Sequence, residues 1–118
     1  MKKIFLTLSA LCALTLGAFA QAQQDFTFEN DTSYTIWGLH VSPHSSNRWG
    51  GDVLGRDTLE PDQNTYIYWN EPQSATYYDI RVDFRNGAHW DFQEGINLRE
   101  ASYVWVTWDG NQANLHWR

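Results

Sequence analysis

Three oxygen-bearing residues, Asn47, Asp52 and Asp57, fall close together in one glycine-rich stretch. A hard cation such as Ca2+ binds through about six to eight oxygens of this kind. Calcium is therefore the one cofactor their types suggest, although their spacing matches no EF-hand loop. The same carboxylates serve equally well if Asp52 caps a short helical turn and Asp57 closes an Asx turn. Zinc would need histidine, and His40, His44, His89 and His116 are available. Of these only His89 has a close partner, Asp91, since residues two apart on a strand share a face. They serve as well as an exposed pair opposite Trp90 and Phe92. His44, Ser45 and Ser46 are of the types used in acyl transfer, but no Gly-x-Ser-x-Gly elbow is present. Paired carboxylates for glycoside hydrolysis are inevitable somewhere among fourteen acidic residues, so their presence selects nothing. The expectation is that the protein is not an enzyme.

Binding chemistry is better supplied. Flat aromatic faces on a rigid sheet capture sugar rings and peptide backbones at low entropic cost. Trp49, Trp90, Tyr66 and Tyr68 are the candidate ligand-binding residues. Trp49 sits in the long polar stretch, and Tyr66 and Tyr68 share a face opposite Ile67 and Trp69. Periodicity alone leaves open which of those two pairs is buried.

The chain begins with Lys2 and Lys3, runs through an apolar segment too short to cross a bilayer, and reaches Ala18-Phe19-Ala20-Gln21-Ala22. That order predicts a signal peptide over 1–22, cut after Ala20 or Ala22, and a periplasmic or secreted domain over 23–118 with no membrane anchor. Cys12, the only cysteine, lies within the signal, so the exported domain is expected to fold without disulfides. Cleavage would also remove both lysines, leaving six Arg against fourteen Asp and Glu, a balance of −8. Such a surface repels nucleic acid and anionic lipid. A glycan or a basic protein remains as partner, the latter in the manner of an inhibitor, for a domain expected to be monomeric.

These side chains must be positioned by β-structure. Short runs of β-branched and aromatic residues alternate with Gly, Pro, Asn and Asp clusters, predicting seven strands near 26–29, 34–41, 65–69, 77–85, 89–92, 103–108 and 113–117. Tyr78, Ile80, Val82 and Phe84 alternate with Asp79, Arg81, Asp83 and Arg85, one face for the core and one for water. Asn86-Gly87 predicts a type I′ hairpin turn, and Asp109-Gly110 another. Seven strands in this length predict an all-β fold, a small antiparallel β-sandwich. The stretch over 42–58 is long for a connection in a compact domain and is the first place to seek function.

The order Asn30-x-Thr32, Ile36, Val41-Ser42-Pro43, Trp49-Gly50-x-Asp52-Val53-Leu54-Gly55, Leu59-x-Pro61, Tyr78-Asp79-Ile80-Arg81-Val82 and Gly95-Ile96-Asn97-Leu98 resembles a family of small exported bacterial β-domains of uncharacterised function. The resemblance implies the fold and export. Some of those relatives carry the name argininosuccinate lyase, which a domain of this size behind a signal peptide does not support. Many also look to carry a cysteine pair flanking the Tyr-Asp-Ile strand, where this chain has Ala75-Thr76-Tyr77 and Arg99.

Overall fold

The computed structural model describes residues 24–68 and 75–118; the expected signal segment, and Trp69 at the end of the third expected strand, lie outside the described residues. Seven strands follow one another: β1 (Phe26–Asp31), β2 (Ile36–Pro43), β3 (Asn64–Ile67), β4 (Tyr77–Phe84), β5 (His89–Asn97), β6 (Tyr103–Trp108) and β7 (Ala113–Trp117). They form two packed sheets, β3-β1-β6-β7 and β2-β4-β5. The smaller sheet is antiparallel throughout, whereas in the larger one β1 runs parallel to β6. The expectation of antiparallel pairing fails there because β1 and β6 are joined through the other sheet, and no hairpin constrains their direction.

Alternation places the core as expected on β4, where Tyr78, Ile80, Val82 and Phe84 are buried. Phe26 and Phe28 of β1, Leu39 and Val41 of β2, and Val104 and Val106 of β6 face them from the same interior. Asn30 is buried among them with all its bonding groups used. Its amide donates to the carbonyls of Tyr34 (2.7 Å) and Leu59 (2.9 Å), and its carbonyl accepts from the Thr32 amide and hydroxyl. A buried amide so satisfied ties the β1–β2 turn to Leu59, where the chain leaves the long loop.

The turns differ from expectation. A type I′ turn needs positive φ at both central residues, but only Gly87 has it (φ 93°), not Asn86. Gly87 N donates to Phe84 O, and Phe84 N to Ala88 O, which makes a three-residue loop closed by a glycine bulge. At the second hairpin Trp108 pairs with Ala113. The Asp109 carboxylate spans the loop between them, accepting from the Asn111 and Gln112 amides. Those donors hold the Asp109 carboxyl below the usual carboxylate range. Strand β5 also runs on to Asn97, past the expected end at Phe92, through a bulge opposite Asp79.

Candidate functional site

The long loop returns along the free edge of β2. Val53 N donates to Leu39 O (2.7 Å). Asp52 Oδ1 accepts from both Leu39 N (3.0 Å) and Leu54 N (2.9 Å). Gly50 N donates to Ser42 Oγ (2.8 Å). Covering an edge strand in this way blocks further pairing and fixes the loop against the sheet.

The outer face of β4 thereby becomes partly covered. Asp79 is buried, Arg81 and Asp83 are half-buried, and only Arg85 remains in water, which corrects the reading of these four charges as one wet strip. His40 Nε2 lies 2.8 Å from Asp83 Oδ2, and its Nδ1 donates to Gly50 O (2.8 Å). Both ring nitrogens of His40 are thus engaged, one by a carbonyl and one by a carboxylate. His44 Nδ1 lies 2.8 Å from Asp79 Oδ1. Glycine is required at position 95, where φ is 82° and a Cβ would stand 3.4 Å from the His44 ring. Arg81 grips Asp91 through two bonds of 2.7 and 2.9 Å. The guanidinium's bonds hold the Asp91 carboxyl below its ordinary value, and the same bonds raise Arg81.

Trp49 lies beside this network, with the Arg81 guanidinium 5.2 Å from its ring centre. Its indole lines two hollows. The larger, of about 680 Å3, runs along the 41–55 segment to Tyr68 and includes Ser42, Arg48 and Asp52. The smaller, of about 260 Å3, includes Asn47, Asp79 and Gln93. The larger lies within the roughly 300–1,000 Å3 typical of ligand pockets.

The expected ligand residues are thus divided. Tyr68 joins Trp49 at the larger cleft and is 58% exposed; its ring packs edge-on to Tyr66 at 4.7 Å. Ile67 is buried, so Tyr66 of β3 and Tyr68 just past its end take the opposite, outward side. Trp90 does not join them. It faces inward with Phe92, packs on the core and meets Trp108 edge-on at 5.8 Å. β5 is an edge strand, and its inner face is where a large ring finds apolar cover. His89 and Asp91 take the opposite face, 3.4 Å apart.

The proposed calcium residues do not converge. Asp52 Oδ1 is committed to two backbone amides, Asn47 lines the smaller hollow, and Asp57 is exposed and lines neither. Among the described residues, no group of three or more His, Cys, Asp or Glu is placed to hold a metal ion. Tyr103 and Trp105, absent from the expected ligand residues, line the outer face of β6 beneath Arg118, whose guanidinium lies 4.6 and 5.2 Å from their ring centres. Their signal was present in Tyr103-Val104-Trp105-Val106, where the two valines claim the core.

No protein-family model and no curated protein matches the chain. A solved structure described as "NMR structure of the protein from Eubacterium rectale" is similar in fold, with a TM-score of 0.52 and 13% identity. The match covers 79% of this chain and 85% of that one. At that identity the likeness concerns the fold alone.

Proposed function

We propose that this chain is an exported, non-catalytic binding module that holds a neutral glycan in the cleft between the 41–55 segment and Tyr68. The observation that carries the reading is the pairing of Trp49 and Tyr68 across one cleft. One face of Trp49 packs on an arginine that Asp91 itself fixes. A ring so supported loses little freedom when a sugar stacks on it, which is the condition for useful affinity from few contacts. Ser42 and Asp52 line the same cleft and supply polar atoms that a sugar's hydroxyls require. Export rests on the basic and apolar opening of the sequence.

The test is titration of the folded domain with neutral hexose and N-acetylhexosamine oligomers, followed by tryptophan fluorescence. Saturable binding is expected, weakened about tenfold or more by Trp49→Ala or Tyr68→Ala and nearly unchanged by salt. Silence across the oligomers, together with strongly salt-dependent capture of a basic protein, would replace this reading with the inhibitor-like one.

A further inference from the structure

At the end of the sandwich where β1 leads into β2 and β4 turns into β5, four aromatic side chains meet. Tyr34 stands at 81° to Phe84 and at 80° to Trp108, with ring centres 6.4 and 5.7 Å apart. Trp90 stands at 75° to Trp108. Rings at near right angles do not cover one another as stacked rings do, and these four line a pocket of about 120 Å3 together with Asn86 and Ala88. That volume is well below the roughly 300 Å3 at which drug-sized ligands are accommodated. It admits a small group only.

A second hollow of about 460 Å3 adjoins it, sharing Tyr34, Phe84 and Asn86 and adding Ser33, Thr35 and Arg85. Thr35 gives its hydroxyl to Glu60 (2.9 Å). The Arg85 guanidinium makes no ion pair and no hydrogen bond among the described residues. One hollow is therefore lined by four aromatic rings, and its neighbour is lined by an uncommitted guanidinium and by Ser33.

We propose that the two hollows together bind a phosphocholine group, with the trimethylammonium among the four rings and the phosphate on Arg85. The rings attract a cation held within about 6 Å of their centres. A quaternary ammonium, which has no N–H donors to leave unsatisfied, suits an aromatic box better than the strongly hydrated ammonium of lysine. Arg85 at the mouth repels a bare cation and pairs with an anion. A group whose quaternary nitrogen and phosphate are joined by a two-carbon bridge satisfies both halves. The site lies apart from the cleft at Trp49 and does not depend on the glycan reading.

The experiment is titration of the full domain with phosphocholine, choline chloride and inorganic phosphate, each followed by NMR of the tryptophan side-chain N–H signals. Phosphocholine is expected to saturate and to shift the Trp90 and Trp108 signals. Tyr34→Ala should weaken phosphocholine and choline about tenfold, the loss of one cation–π wall. Tyr34 is 48% exposed, so its truncation leaves the core intact. Arg85→Ala should weaken phosphocholine by a similar factor and bind choline at least as tightly as the parent. Trp49→Ala should change none of these. Phosphatidylcholine vesicles separate the sources: sedimentation with them assigns a membrane headgroup, while binding of soluble phosphocholine without it assigns a free or polymer-borne one, and both support the site. Failure of phosphocholine to saturate, affinity untouched by both variants, or phosphate alone binding as tightly would each overturn it.

Discussion

On the outer face of the β2-β4-β5 sheet, side chains are joined through carboxylates: His40 to Asp83, His44 to Asp79, and Arg81 to Asp91. On the outer face of the β3-β1-β6-β7 sheet they are joined by rings. Trp105 stacks on His116 at 5.2 Å, Arg118 lies over Tyr103 and Trp105, and the Tyr103 hydroxyl donates to Glu29. The first face is sealed by a loop from elsewhere in the chain, the second by its own neighbours. Aromatic surface is left uncovered mainly at or near strand ends, at Tyr68 beside the cleft, at Tyr34 beside the four-ring pocket, and at Trp37, Tyr77 and Trp117. Flat sheet faces in this protein are closed, and the available binding chemistry lies at their corners.

The comparison can be broken most severely at Asp52. Asp52→Ala removes one carboxylate oxygen that accepts from two amides and frees the loop from β2. A loss of about 2–3 kcal/mol is expected, a fall of roughly 10 °C or more in the thermal midpoint, accompanied by loss of any ligand bound at Trp49. A midpoint within a degree or two of the parent would mean that the loop is not held as described.

The two faces should also fail at opposite ends of the pH range. The folded Asp91 carboxyl lies below its ordinary value because of Arg81. Its contribution is therefore present above the unfolded carboxylate value and is lost as pH falls through the lowered one. The Tyr103 hydroxyl is raised above the usual phenol value, chiefly by its bond to Glu29. That contribution is complete below the unfolded phenol value and is lost as pH rises through the raised one. Urea midpoints measured across pH should show Asp91→Asn flattening the acid limb alone and Tyr103→Phe the alkaline limb alone. Crossed effects would show that the two faces are not independent.

The smallest effect is expected at Arg118. An exposed guanidinium over two rings contributes about 0.5–1 kcal/mol, and Arg118→Ala should cost no more than that. A larger loss in chemical denaturation would make the ring-covered face as dependent on charge as the other.

Most of the scaffold was legible, because Phe26-x-Phe28, the Tyr78–Phe84 alternation and Val104-x-Val106 each carry a period of two that only a half-buried strand satisfies. The parallel pairing of β1 with β6 was not, since direction depends on how strands are joined across sheets. The candidate site was half legible. Trp49 was recognisable as an aromatic outside the core, but the sides taken by Tyr68 and Trp90 were not, because Tyr66-Ile67-Tyr68 and His89-Trp90-Asp91-Phe92 alternate without showing which side is inward. Asp79 was misread for a related reason. Alternation gives the face of a strand and says nothing of a loop that later lies over it.

The parallel register of Phe26–Asp31 on Tyr103–Trp108 also bears on how the molecule comes to be folded. The β4–β5 hairpin joins neighbours in the chain and can form early, whereas β1 has no partner on one flank until nearly all of the chain has been made. Pairings of such long sequence separation are slow to close. Deletion of the last two strands would leave Phe28 and its neighbours without their parallel partner. Assembly is thus governed by the final quarter of the chain, and a ribosome or translocation channel still holding that quarter would be holding an unfinished sheet.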